Sequence, residues 1–208
     1  MRLIMKIYLI RHGQTEWNKD RKLQGSMDIP LNETGIDQAK KLADKLKRYN
    51  IEHIYTSPLS RAFDTAQEIK KVFGCSITQL DSLKEIDFGI WQGHTVAENK
   101  AIYGGLVARW EQDPTFDAGY GIESYFSVQQ RAYQTLTEIG NGVYDEVAVI
   151  THGAWIKSVI CKLLHIPLSK RFCFDVGNTS FNILDYNKEH GKFQVKTLNE
   201  VSHLERYN

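Results

Sequence analysis

Two short segments constrain this chain more than anything else in it: residues 6–10, Lys-Ile-Tyr-Leu-Ile, and residues 146–151, Glu-Val-Ala-Val-Ile-Thr. Both are apolar with little alternation, the pattern of a strand buried on both faces, and such strands sit in sheets covered by helices on either side. Each runs into a polar triplet containing glycine, Arg11-His12-Gly13 after the first and Thr151-His152-Gly153 at the end of the second. Two histidines are thereby attached to the ends of two interior strands.

Between and after these strands the pattern alternates. Residues 15–30 are polar and irregular, broken by Gly25 and Pro30. Asn32 suits the N-cap of a helix reaching about residue 49, with Ile36, Ala39, Leu42, Ala43 and Leu46 on one face. Residues 53–56 read as a strand. Ser57-Pro58 is expected to cap and open a helix to about residue 73, because proline fits a first helical turn, and Ala62, Ala66, Ile69 and Phe73 face inward. Residues 76–80 form a further strand, residues 128–139 a helix, residues 154–164 another, and 180–186 with 193–198 a closing hairpin around Gly191. Residues 86–125 break the rhythm and are rich in glycine and aromatics, which reads as an inserted cap with one or two short helices. The expected fold class is α/β: a three-layer α/β/α sandwich with a mostly parallel sheet and an inserted cap region, in a single domain over residues 1–208.

With 26 Lys+Arg against 25 Asp+Glu the chain has no basic excess, which argues against nucleic acid or an anionic membrane as its main partner. The apolar run before Arg11 is too short for a signal segment or a membrane span, and a cytoplasmic location follows as the expectation. Cys75, Cys161 and Cys173 are odd in number and widely spaced, so buried, reduced thiols are expected. The seven histidines show neither His-x-His nor His-x-x-x-His spacing, so no metal site is expected, and no other cofactor is called for.

In parallel sheets ligands bind outside the carboxyl ends of the strands. Arg11-His12, Arg61, Glu85 and His152 each follow a strand by at most a few residues and converge on one edge. Singly they say little: a histidine there is as readily a satisfied core group, an arginine at a helix start is usually solvated, and a glutamate near a strand end commonly caps a helix. Together they make a site for phosphoryl transfer. Arg11 and Arg61 can hold the non-bridging oxygens of a phosphate monoester and neutralise the charge that repels a nucleophile. A neutral imidazole at His12 attacks in line without needing a base. Glu85 is placed to protonate the leaving alkoxide if burial keeps it protonated, and His152 to add a donor to the phosphoryl oxygens.

The ordered series Tyr8-Leu9-Ile10-Arg11-His12-Gly13-Gln14-Thr15-Glu16-Trp17-Asn18, Gln24-Gly25, Asp28-Ile29-Pro30-Leu31, Ser57-Pro58-Leu59-Ser60-Arg61-Ala62, Glu85-Ile86-Asp87-Phe88-Gly89, Thr151-His152-Gly153 and Asn178-Thr179-Ser180 resembles the histidine phosphatase superfamily, the phosphoglycerate-mutase-like proteins, over nearly the whole chain. The resemblance implies a phosphohistidine at His12, a phosphate pocket of Arg11, Arg61 and His152, a proton donor in Glu85, and Asn18, Gln24 and Gly25 lining the phosphate or substrate site. The segment after Glu85, Ile-Asp-Phe-Gly-Ile-Trp-Gln-Gly, is similar to the short phosphatase branch. Gly121-Ile122-Glu123-Ser124 departs from that branch's usual Gly-Gly-Glu-Ser near the substrate entrance. The expected activity is hydrolysis of phosphate monoesters of small metabolites, the expected partner a small phosphorylated metabolite. A phosphoglycerate mutase is the alternative enzyme, and a non-catalytic phosphate sensor the alternative of another class, disfavoured because a sensor has no use for Glu85.

Charge on the phosphoryl group is thus assigned to arginines, where many phosphatases use two metal ions. Exhaustive chelation is expected to leave phosphate release unchanged, while vanadate, an oxyanion that mimics in-line transfer, inhibits. Activity lost in chelator and restored by a divalent ion refutes the assignment.

Overall fold

The computed structural model describes residues 3–204, so the outermost ends of the expected domain, residues 1–2 and 205–208, lie outside the described residues. A six-stranded mixed sheet forms its centre, in the order β3-β2-β4-β1-β5-β6. The strands are β1 (Ile4–Arg11), β2 (His53–Thr56), β3 (Ser76–Gln79), β4 (Glu146–Thr151), β5 (Phe181–Asn187) and β6 (Lys192–Glu200). β3, β2, β4 and β1 run parallel, and β5 and β6 close the sheet antiparallel.

The alternation of side chains along β1 divides the core in two. Tyr8 and Ile10 face α2 (Glu33–Leu46) and α3 (Ser60–Phe73), where Leu42, Ala43, Leu46, Ala62, Ala66 and Ile69 are buried. Met5, Ile7 and Leu9 face α5 (Tyr125–Gly140) and α6 (Gly153–Leu163), with Val128, Ala132, Leu136, Ile156 and Val159 buried against them. These are the three expected layers. The second core extends into the cap, where Phe88, Trp91, Val107, Trp110 and Ile122 are buried.

Local details depart from the sequence pattern for identifiable reasons. Within the irregular segment 15–30 a one-turn helix, α1 (Glu16–Lys19), forms, because Thr15 and Asn18 close a reciprocal capping box. Ile36 does not face the core and is 40% exposed; Gly35 takes that inward position on α2. Pro58 is not in the first turn of α3, which begins at Ser60 after Leu59. Ser57 caps nothing there. Its hydroxyl accepts from the Leu59 amide at 3.3 Å in a tight turn and lies 2.8 Å from His152 Nε2. Phe73 is only partly buried. The cap holds one long helix, α4 (Val96–Gln112), interrupted at Tyr103 (φ −119°, ψ 20°), just before the Gly104-Gly105 pair. α5 starts at Tyr125, earlier than its apolar spacing indicates, because Ser124 caps it by accepting from the Ser127 amide. All three cysteines are free, but only Cys161 is buried; Cys173 is exposed. Among the described residues no helix is long and apolar enough to cross a membrane.

The loop after β1 is pressed against the start of α2. A β-carbon on Gly35 would lie 2.1 Å from the Gln14 carbonyl oxygen, and one on Gly13 would lie 2.5 Å from the Gly35 carbonyl oxygen. Backbone against backbone cannot yield as a flexible side chain does. Gly35→Ala is therefore expected to destabilise by about 3 kcal/mol through overpacking and to shift the loop carrying His12. Urea unfolding measures the first effect; an unchanged midpoint contradicts the close packing.

Candidate active site

The parallel pairing of β1 with β4 builds the site. Arg11 and Thr151 are register partners, so the next residue of each strand, His12 and His152, leaves the sheet at the same height. Their ring centroids stand 5.1 Å apart. Thr56 pairs with Ile150 on the other side of β4, which brings Ser57 to the same edge, and the first turn of α3 then carries Arg61.

His12 is 3% exposed, and its Nδ1 is 2.6 Å from the Gly13 carbonyl oxygen. A carbonyl only accepts, so Nδ1 carries the proton and Nε2 keeps its lone pair, the tautomer that a nucleophile needs. Burial first, then the Arg61 and Arg11 charges, hold the imidazole well below the usual histidine range, so it is neutral at neutral pH. The backbone of His12 is clamped as well. Its carbonyl accepts from Asn178 Nδ2 at 3.1 Å and from the Thr179 amide at 3.2 Å. Thr179 adopts φ +55°, a left-handed conformation costly for a β-branched residue, and its hydroxyl lies 3.0 Å from His203 Nε2. The same Asn178 amide reaches Asn18 Oδ1 at 3.2 Å, tying α1 to the backbone of His12.

Arg11 and Arg61 flank the histidine, and each is fixed by carbonyls. Arg11 donates to Val176 O at 2.7 Å. Arg61, fully buried, donates to Gly25 O and Met27 O, both at 2.8 Å. Burial pulls its guanidinium down to about 10, against the pull of Glu85 and Asp28, which leaves it charged at neutral pH. Gly25 sits at φ +53°, where a β-carbon would come within 2.9 Å of the Phe88 backbone nitrogen, so glycine suits the loop that offers its carbonyl. Gln24 is buried beside it.

Glu85 replaces a missing helix cap. His152 is the N-cap residue of α6 but makes no capping bond. Glu85 Oε2 instead accepts from the Ala154 amide and Oε1 from the Trp155 amide, both at 3.0 Å, with Ile86 N adding a third bond to Oε1. The carboxyl group is thereby held rigidly at a helix N-terminus. It is half-buried rather than enclosed, short of the burial that the proton-donor role was expected to draw on; Oε2 accepts one of the three bonds and Oε1 two.

A cavity of about 280 Å³ opens here, lined by Arg11, His12, Asn18, Gln24, Gly25, Arg61 and Glu85 among others. His152, the remaining residue expected in the pocket, is not on its surface. It is fully buried behind His12, neutral because burial and then Arg61 and His12 hold it far below the usual range. Its Nδ1 has no partner. The aromatics expected to be cap core serve two purposes, since Phe88, Trp91 and Trp110 also line the cavity. Among the described residues no group of three or more His, Cys, Asp or Glu side chains is placed to hold a metal.

Sequence reasoning missed Arg131 entirely. This residue of α5 forms a two-pronged ion pair with Glu123 (Nε and Nη2 at 2.9 Å) and donates to the carbonyls of Ser82, Lys84 and Glu85 at 2.9, 2.7 and 3.1 Å. It holds the backbone on which Glu85 stands. The Glu123-Ser124 dipeptide was a sequence signal for one partner; nothing in the sequence marked the other.

A model of the histidine phosphatase superfamily (branch 1) matches residues 7–201. Phosphoserine phosphatase 1 of Hydrogenobacter thermophilus is 34% identical over 202 residues, 97% of this chain and 95% of that protein. Of the solved structures, Bacillus stearothermophilus YhfR superposes with a TM-score of 0.89 at 32% identity, covering 97% of this chain and 100% of that one. Phosphoserine phosphatase from Entamoeba histolytica, in complex with 3-phosphoglyceric acid, gives 0.82 at 34% identity, with 96% and 99% covered.

Arg131→Ala removes the donor to the Lys84 and Glu85 carbonyls and the ion pair of Glu123, which keeps only the Asp87 amide, while Ser82 O keeps the Trp155 indole N–H. It is expected to cost about 2 kcal/mol in urea unfolding and to lower kcat/KM about 10- to 100-fold by letting Glu85 shift. Arg131→Lys restores little, because a point charge cannot replace a planar fork. A lysine variant with full activity argues against the positioning role.

Proposed function

The chain belongs to branch 1 of the histidine phosphatase superfamily, and from that premise we propose that it hydrolyses phosphate monoesters of small metabolites through a phosphohistidine at His12. The observation that carries the reading is the meeting, on one small cavity, of a neutral His12 with a free Nε2, the half-buried Arg11, the buried Arg61 and the Glu85 carboxyl group. The phosphoserine phosphatases among its relatives support hydrolysis as the outcome.

The dianion of the substrate settles between Arg11 and Arg61. Nε2 of His12 attacks phosphorus as the bond to the leaving oxygen breaks, and that oxygen takes the proton from Glu85. Glu85, now a carboxylate, removes a proton from a water that attacks phosphorus in turn. The P–N bond breaks, His12 returns neutral, and inorganic phosphate leaves. The transition state is loose, so positioning and charge stabilisation do most of the work. His152, buried with its ring centre 5.1 Å from that of His12, supports the nucleophile's ring from off the cavity surface. Asn18 contributes chiefly by holding the Asn178 clamp.

His12→Ala is expected to abolish turnover and phosphoenzyme formation, since nothing nearby replaces the imidazole. A rapid-quench phosphoenzyme on any other residue overturns the mechanism. Glu85→Gln should slow alkyl phosphates by roughly 10²–10⁴ while p-nitrophenyl phosphate, which needs no protonated leaving group, loses much less. Equal losses on both remove Glu85 from the acid's role. Arg61→Ala should slow both comparably.

The pH dependence has a definite sign. The His12 pKa is lowered, so its neutral form persists as pH falls through 6.5, and an NMR titration of His12 in the substrate-free enzyme, which the ionisation of the phosphate ester does not enter, reads it directly. A His12 midpoint at 6.5 contradicts this burial.

A further inference from the structure

The His12 ring is carried by a backbone whose carbonyl is gripped by the Asn178 side chain and the Thr179 amide. Thr179 makes its grip from φ +55°. A β-branched residue leaves that conformation unless its surroundings hold it there. Thr179 is fully buried, and its hydroxyl has two neighbours: it donates to Asn178 O at 2.8 Å and lies 3.0 Å from His203 Nε2. A hydroxyl has one hydrogen and a carbonyl only accepts. Toward His203 the Thr179 oxygen is therefore the acceptor, and Nε2 carries the proton. Nδ1 of His203 is buried with no partner, which a neutral ring tolerates better than a charged one. Burial holds the His203 pKa down to about 4 against the pull of Glu200, with Lys45 and Lys41 pushing the same way as burial.

His203 is itself anchored. It belongs to one short helical turn, Ser202–Leu204, beyond β6. Lys45 of α2 donates to Ser202 Oγ at 2.7 Å, the Ser202 amide donates to Glu200 Oε1 at 3.0 Å, and the His203 ring centre stands 6.3 Å from that of Phe181. A line of bonds thus runs from α2 through this turn and Thr179 to the His12 carbonyl. None of Lys45, Ser202, His203 and Thr179 lines the active-site cavity.

Resting on the phosphatase reading above, we infer that His203 is a positioning residue for phosphoryl transfer: its Nε2–H holds Thr179 in the left-handed conformation that grips the His12 carbonyl. Without that donor Thr179 turns to an ordinary φ, its amide swings away, and the His12 carbonyl keeps the Asn178 side chain alone. The nucleophile then loses its in-line aim, and a misplacement of about 1 Å costs up to roughly 100-fold in rate. Substrate still meets Arg11 and Arg61, so the loss falls on the chemical step rather than on binding.

Two substitutions separate the donor from the ring. His203→Phe keeps a ring beside Phe181 and removes the N–H; His203→Gln removes the ring and places an amide N–H at the reach of Nε2. Rapid-quench formation of phosphohistidine from saturating p-nitrophenyl phosphate reads the chemical step, with KM and urea unfolding measured alongside. The phenylalanine variant is expected to form phosphohistidine roughly 10-fold more slowly with KM within about twofold, and the glutamine variant to lose no more than about threefold. Thr179→Gly takes a positive φ without help, so in that background His203→Phe is expected to change the rate less than about twofold. If His203→Phe does not fold, His203→Ala takes its place with the same expectations. A donor-free variant at the wild-type rate overturns the inference and leaves the phosphatase reading standing. So does a glutamine variant equally slow, a loss undiminished beside Thr179→Gly, or a loss that only follows the folded fraction. No phosphohistidine in the unaltered protein removes the reading itself and the inference with it.

Discussion

The site depends on one pairing of strands. β1 and β4 lie side by side and parallel, in a register that sets Arg11 against Thr151. Everything chemical follows from the residue after each partner. A slip by one residue would turn every side chain of the strand to the opposite face and separate the two histidines. The register is protected by burial: Ile7, Tyr8, Leu9, Ile10 and their partners Val147, Ala148, Val149 and Ile150 are all fully enclosed, so both faces oppose a slip.

The electrostatics of the edge follow from that enclosure. Two guanidinium groups stand beside two imidazoles in a space largely closed to water, and the imidazoles remain neutral because a further positive charge there is unaffordable. The arginines are held by backbone carbonyls, which fix their orientation without cancelling their charge. A dianionic phosphate would therefore meet two oriented guanidinium groups, whose charge Glu85 and, for Arg61, Asp28 offset in part, beside a neutral imidazole.

How much of this is legible in the sequence depends on the range of the interaction. The strands and most helices are, because burial period and caps are local. His12, Arg11, Arg61 and Glu85 are, because their place after strands puts them at one edge whatever the loops do. The bond from His152 to Ser57 and the anchoring of Glu85 by Arg131 are not, since they join residues 95 and 46 positions apart through packing that no local pattern encodes. The same limit explains Ile36, where an apolar residue with helical spacing yields its inward place to a glycine that the neighbouring loop requires. It explains Pro58 too: the turn at Ser57 serves His152 rather than α3.

The clamp on the His12 carbonyl also says when in the life of the chain chemistry begins. β1 is synthesised well before its two sheet neighbours, β4 and β5, which lie some 140 and 180 residues further on, and the residues that hold the backbone of His12 are Asn178 and Thr179. Contacts of such sequence separation form late. A nascent chain emerging from a ribosome carries its histidine and both arginines long before it carries the strands that align them. Until residues 178–187 are out and docked, the polypeptide has the reactive groups of a phosphatase and no means of using them, so catalytic competence arrives together with, and not ahead of, the completed sheet.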